Sequence, residues 1–172
     1  MRGHRKNAIT AIASGPAGSS GTFRNLIVQD NESINSGVSG GAGMYISGGQ
    51  SNPTIDRCIF RRNTLVNSSF GGAGLCVDFA QANVSRCEFS DNLESGAAGG
   101  GLSVDSGTVR LRHCKFIDNT TVNSVGGGGA SLSFMPHDTP IVDCLFEGNR
   151  AICDDCIGAA PVGGEGAGAR RR

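Results

Sequence analysis

The feature that most constrains this chain is a repeat of the form apolar-x-x-Cys-x-Phe-x-x-Asn, which occurs four times within 172 residues. A degenerate copy that lacks the Cys and the Phe precedes them. Counted between the closing Asn residues, the repeat lengths are 32, 29, 27 and 30 residues. Self-similarity at a period of about 20 to 50 residues predicts a solenoid in which each repeat is one coil. The copies run from Phe23 to Asn31, Ile55 to Asn63, Val84 to Asn92, Leu111 to Asn119 and Ile141 to Asn149.

A second motif lies between these copies and consists of a Gly-Gly pair followed by an apolar-x-apolar segment, such as Leu75-Cys76-Val77. Alternation with a period of two places one set of side chains on one face of a β-strand, so the apolar set is predicted to face inward. In the Cys-containing motif, two residues rather than one separate the first apolar residue from the Cys, which predicts a corner. We therefore expect about three short strands in each coil.

Stacked coils place equivalent residues in columns spaced by about 4.8 Å. We expect an inward Cys column, an inward Phe column and an inward Asn column. The Cys spacing is longer than the roughly 3.8 Å between Cβ atoms that a disulfide prefers, so these residues are predicted to be free, buried thiols. Each Asn amide is predicted to bond to the next Asn, with the Asn in a left-handed bend. The Gly-Gly pairs are predicted at bends where a Cβ would obstruct the chain.

Composition limits the function classes. The 28 Gly and 5 Pro residues and the absence of Trp suit many short strands with tight corners. Fifteen basic residues balance fifteen acidic ones, so no global charge favours nucleic acid or an anionic bilayer. No apolar run is long enough to span a membrane. We divide the chain into an N-terminal segment or incomplete coil (1–22), a parallel β-helix (23–149) and a C-terminal partial coil with a Gly/Arg-rich tail (150–172).

The two motifs together resemble the repeats of the polymorphic outer membrane protein family. Its hallmark tetrapeptides are Gly-Gly-Ala followed by an apolar residue, here near 40–42 and 71–73 with an extra Gly, and Phe-x-x-Asn, here present four times. The resemblance covers about residues 23 to 149. It implies an all-β, right-handed parallel β-helix like the pectin-lyase fold, with about five coils. It also implies a cell-surface or extracellular protein, often an adhesin, although residues 1–22 contain no clear signal peptide.

Carboxylates in equivalent positions are the candidates for catalysis. Asp78 and Asp105 follow the same strand in successive coils and are expected about 5 Å apart, a separation that resembles the pair of a retaining glycosidase. The alternative is that stacked Asp residues cap backbone amides at a turn. Asp91 and Asp118 form a second stacked pair, for which Arg62 one coil earlier is expected to compensate.

A basic column is the candidate for ligand binding. Arg57, Arg86 and His113 share the corner position before each Cys, and Arg110 and Arg112 lie close by. Such a strip suits sulfated or carboxylated glycans, which accept charge-assisted hydrogen bonds. The alternative is a solvated corner without a ligand.

Cys153-Asp-Asp-Cys156 has the spacing of half a zinc site. A second pair is missing, because Cys76 is predicted to face outward at an unrelated position and the four core Cys residues are buried. A local disulfide or two free thiols are the alternatives. No cofactor is expected.

The sequence therefore favours a non-catalytic surface or secreted segment that serves adhesion, recognition or scaffolding through its variable turns. The alternative is a fragment of a polysaccharide lyase or glycoside hydrolase that acts on acidic glycans. The expected partners are glycans or cell-surface proteins, with no nucleic acid and no membrane span in this segment. Exposed strand edges at the ends of the stack also predict end-to-end self-association.

Overall fold

A computed structural model describes residues 20–34, 40–66, 71–96, 98–123, 126–133, 140–152 and 170–171. Within these ranges the chain is all-β, and every strand pair in it is parallel. No helix long and apolar enough to cross a membrane occurs in them.

Four five-stranded sheets run along the stack, and each coil contributes one strand to each sheet. Sheet I consists of Thr22–Arg24, Thr54–Asp56, Gln81–Ser85, Thr108–Arg112 and Ile141–Val142. Sheet II consists of Ile27–Gln29, Ile59–Arg61, Glu88–Ser90, Lys115–Ile117 and Leu145–Glu147. Sheet III consists of Glu32–Ile34, Thr64–Val66, Leu93–Ser95, Thr120–Val122 and Arg150–Ile152. Sheet IV consists of Met44–Ser47, Leu75–Asp78, Leu102–Asp105, Ala130–Ser133 and Arg170–Arg171. A short pair, Gly40–Gly41 with Gly71–Gly72, lies between sheets III and IV.

The predicted parallel solenoid is confirmed, with a number of coils close to the one expected. The prediction of about three strands per coil is wrong, because sheet III was missed. Its inward positions hold Leu65, Glu94 and Thr121 in register, all fully buried. Because the polarity of this column changes from coil to coil, the sequence has no alternation of apolar residues that would predict a strand there.

Residues with positive φ form the corners. Arg57, Arg86 and His113 turn the chain from sheet I to sheet II with φ of 53°, 52° and 53°, where the sequence predicted a corner. Between sheets II and III the left-handed residue is the one before each ladder Asn, such as Arg62 or Asp91, and not the Asn itself. The expectation of a left-handed Asn is therefore wrong. The Asn side chain points inward and holds the turn by hydrogen bonds instead.

The Gly-Gly pairs are required by close approach. A Cβ on Gly41 would collide with the carbonyl oxygen of Met44, and one on Gly72 with that of Leu75. Both pairs adopt a short extended strand, and neither pair has a residue with positive φ. The expected steric obstruction is confirmed, and it acts on an extended segment between sheets III and IV.

The core contains the predicted columns. The rings of Phe60, Phe89, Phe116 and Phe146 stack with centroid distances of 4.9, 4.7 and 4.6 Å and interplanar angles of 3° to 6°. Cys58, Cys87 and Cys114 are buried free thiols, and Cys144 is a half-buried one. Each thiol lies near backbone carbonyl oxygens of its own or the preceding coil, such as Cys87 Sγ at 3.2 Å from the oxygen of Ser85. The Cys and Phe columns therefore act as packing material, as predicted.

The Asn column is also as predicted, and its bonding is nearly complete. Asn92 Nδ2 donates to Asn119 Oδ1 at 2.8 Å and to the carbonyl oxygen of Phe60 at 2.9 Å. Asn92 Oδ1 accepts from the backbone N–H of Asn63 at 3.1 Å and from Asn63 Nδ2 at 2.9 Å. Asn63 and Asn119 have the same four bonds. The ladder thus ties each coil to both of its neighbours.

Candidate functional site

The outward face of sheet I and its adjoining corner bring the basic residues together. Register pairing aligns Arg24, Asp56, Ser85, Arg112 and Val142 in one outward column. A second outward column aligns Thr54, Asn83 and Arg110. The corner column beside them contains Asn25, Arg57, Arg86, His113 and Asp143. We call these three columns the basic face.

Asp56 is the centre of this face, and the sequence did not single it out. Its side chain is 2% exposed beneath the half-exposed guanidinium groups of three arginines. Asp56 Oδ1 lies 2.6 Å from Arg86 Nη2, and Oδ2 lies 3.2 Å from Arg57 Nε and 3.7 Å from Arg24 Nε. Ser85 Oγ donates a further hydrogen bond of 2.8 Å. Burial by itself would raise the pKa of Asp56, but the bonds from Ser85, Arg57 and Arg86 outweigh it and lower that pKa.

The other cationic side chains of the basic face make fewer or longer contacts with carboxylates. Arg110 and Arg112 are exposed, and neither forms an ion pair with another described residue. His113 Nδ1 lies 3.6 Å from Asp143 Oδ2, with both side chains exposed. Five arginines and two aspartates give the face three net positive charges when His113 is neutral, although the whole chain is neutral.

The structure thus places all five candidate ligand-binding residues on one surface and adds Arg24 and Asp56 to them. Alignment of the repeats would have identified Arg24 and Asp56, because they occupy in earlier coils the position that Ser85 and Arg112 occupy in later ones. Arg57 and Arg86 prove to be partly committed to Asp56, whereas Arg110 and Arg112 remain available.

The candidate carboxylates lie at the end of sheet IV. Asp78 and Asp105 are neighbours in register, with Ser47 and Ser133 in the flanking coils, as expected. Asp78 is 8% exposed, and Tyr45 donates a hydrogen bond of 2.8 Å to its Oδ2. Burial and this bond raise the pKa of Tyr45 to about 12. Among the described residues, no arginine or lysine forms an ion pair with either aspartate.

Cys76 occupies an outward position on sheet IV, as predicted, but it is 2% exposed and burial raises its pKa. The Gly-Gly segment covers it, because the Cys76 Cβ would lie 3.4 Å from a Cβ built on Gly41. Arg62 pairs mainly with Asp30 in the preceding coil, to which it makes two bonds of 2.7 and 3.0 Å. Its expected compensation of Asp91 is limited to a weaker electrostatic attraction without an ion pair.

Cys153 and Cys156 lie outside the described residues. Within the described residues, no cluster of three or more His, Cys, Asp or Glu side chains has the arrangement of a metal site.

Comparison with known protein families supports the parallel coil. A family model described as a right-handed beta helix region matches residues 6–165. The chain belongs to this right-handed β-helix family. The match extends beyond residues 23 to 149 in both directions and gives the β-helix its hand. Neither the curated proteins nor the solved structures include a significant match.

Proposed function

We propose that this β-helix is a non-catalytic segment of a cell-surface or secreted protein and that its basic face binds anionic glycans. The observation that carries the proposal is the concentration of three net positive charges on one face of a chain whose total net charge is zero. The resemblance to polymorphic outer membrane protein repeats supports a role in adhesion or recognition.

The geometry suits an extended polyanion. Cations at adjacent levels repeat at the coil spacing of about 4.8 Å, so a linear chain of sulfate or carboxylate groups can contact several levels. Guanidinium groups bind such anions through paired hydrogen bonds. Asp56 neutralises part of the charge of Arg24, Arg57 and Arg86, so these three arginines add weaker contacts at the preceding levels. We assign the larger share of binding to Arg110 and Arg112, which lie two residues apart on one strand.

Titration with heparin, polygalacturonate and uncharged dextran tests this proposal. We expect the two polyanions to bind and dextran not to bind, with affinity that falls as salt rises. Replacing Arg110 and Arg112 together by Ala should weaken binding about tenfold, equivalent to about 1.4 kcal/mol. The matched control is Arg61→Ala with Arg62→Ala, which removes the same charge at the next corner. Equal losses in both double variants, or equal binding of dextran, would contradict the assignment to the basic face.

Cleavage of acidic glycans is the alternative, favoured by the adjacent positions of Asp78 and Asp105 and by the bond from Tyr45 to Asp78. Incubation with the same polyanions, followed by measurement of reducing ends and of unsaturated products by absorbance, tests it. Product formation that is lost in Asp78→Asn with Asp105→Asn would overturn the non-catalytic proposal.

A further inference from the structure

The Asn ladder is directional and ends in complementary groups. Each inner Asn accepts at Oδ1 from the preceding coil and donates from Nδ2 to the following one. At the first level, the Oδ1 of Asn31 is buried and has no hydrogen-bond partner among the described residues. At the last level, Asn149 Nδ2 donates to the carbonyl oxygen of Phe116, but no described Asn follows it as an acceptor. The first described level therefore lacks a donor to its Asn, and the last described level offers one.

The apolar residues of the two ends are also complementary. If the first coil were stacked on the last one in the register of the sheets, Ile27 would follow Leu145 and Ile34 would follow Ile152. These four side chains are 57%, 46%, 73% and 39% exposed. Among the described residues, six large apolar side chains are exposed, and these are four of them. The core ends in matching partly buried residues as well, namely Phe23 and Leu26 at one end and Ile141, Cys144 and Phe146 at the other.

Charge agrees with the same register. The outward column that begins with Glu32 continues through Thr64, Leu93 and Thr120 and ends with Arg150. The column thus has one charged residue at each end, and the two charges are opposite. In the stacked arrangement Glu32 of one copy would lie beside Arg150 of another.

From these features we propose that copies of this chain associate head to tail, the first coil of one copy stacking on the last coil of another to form a continuous β-helix. A second copy is the occupant that the sequence favours. It supplies Asn149 within Phe-x-x-Asn, whereas residues 1–19 contain a single Asn, Asn7, with His4 in place of the Phe. The contact uses different surfaces on the two copies and does not close, so it extends into filaments.

Charge exchange at the ends tests the proposal without disturbing the core. In sedimentation velocity at low salt, the 172-residue chain should form concentration-dependent oligomers. Glu32→Arg places two arginines at the junction, and Arg150→Glu places two glutamates there. Each single variant should weaken association roughly fivefold to tenfold, because a like-charge pair replaces an opposite-charge pair.

An equimolar mixture of the two single variants gives the decisive result. Every alternating junction in the mixture pairs Arg with Glu, so association should return to that of the unmodified chain, as it should in the double variant. Lys115→Glu, an equal change of charge at an inner level, is the control and should associate normally. Circular dichroism checks that each variant is folded.

Three results would overturn the proposal. The first is an unmodified chain that stays monomeric at all concentrations, which is also the result expected if another segment of the same chain covers the end. The second is unchanged association in the single variants. The third is a mixture that associates no better than its components.

Discussion

The Asn ladder makes a quantitative prediction, because its members differ in the number of bonds and not in burial. Asn92, fully buried, makes four side-chain hydrogen bonds of 2.8 to 3.1 Å. Asn31, 2% exposed, makes one side-chain bond to another described residue, from its Nδ2 to Asn63 Oδ1 at 2.8 Å. The same substitution, Asn to Ala, therefore removes different numbers of bonds at two equally buried sites.

The expected difference in the free energy of unfolding follows from this count. A neutral hydrogen bond contributes a net stabilisation of about 1 kcal/mol. Asn92→Ala should thus lose about 4 kcal/mol in hydrogen bonding and Asn31→Ala about 1 kcal/mol. The loss of the same side-chain atoms is common to both variants, so the difference of about 3 kcal/mol is attributable to hydrogen bonding.

Urea denaturation followed by circular dichroism measures the two values, at a protein concentration below that at which self-association is detected. The dependence of the unfolding free energy on urea must remain the same in both variants, since a changed slope would show that part of the stack unfolds separately. Equal destabilisation of the two variants would refute the reasoning, because it would show that packing alone determines the contribution of the column.

Three other predictions concern the core and the basic face. Phe89→Ala should lower the free energy of unfolding by about 3 to 5 kcal/mol, which is more than Phe146→Ala should. Phe89 is fully buried between two rings, whereas Phe146 stacks on one described ring. Thermal or urea denaturation compares the two variants, and a greater loss of stability in Phe146→Ala would contradict the stacking argument. In native protein treated with iodoacetamide, Cys144 should be alkylated before Cys58, Cys87 and Cys114, since it is the half-buried member of the column. Peptide mass spectrometry gives the order of alkylation. Simultaneous alkylation of all four would contradict the prediction and show that the column opens as a unit. The folded-state pKa of Asp56 is lowered, so the unfolded state binds more protons than the folded state in the acid range. The stabilisation by Asp56 is therefore present above the unfolded pKa of about 3.9 and is lost as the pH falls through the folded-state pKa. Asp56→Asn should make the free energy of unfolding less dependent on pH in this range, and an unchanged dependence would show that Asp56 is not paired in solution.

How far the fold follows from the sequence depends on whether a position repeats in a single chemical class. The Phe and Asn columns do repeat, so their inward position and spacing were predictable from residues such as Phe89 and Asn92. Sheet III does not repeat in this way, because its inward column changes from Leu65 to Glu94 to Thr121. A strand whose buried residues differ in polarity from coil to coil has no periodic signal in a single sequence.

The residues of the basic face were largely predictable from the sequence, whereas the ion pairs between them were not. Repeat alignment alone places Arg57, Arg86 and His113 in one corner column, since parallel register leaves no other arrangement. The burial of Asp56 beneath three guanidinium groups depends on the direction in which long side chains extend between levels. Arg86 extends to Asp56 in the preceding coil, and Arg62 extends to Asp30 in the preceding coil. The sequence does not show whether such a side chain pairs with the coil before it or with the coil after it.

The sequence by itself thus determined the register of this β-helix, because identical residues at a fixed period can be buried together in one way only. The tertiary structure decided the fourth sheet, the left-handed residue at each corner and the ion pairs of the basic face. Each of these depends on backbone direction and side-chain reach between neighbouring coils, which the geometry of the packed stack sets and the residue type does not.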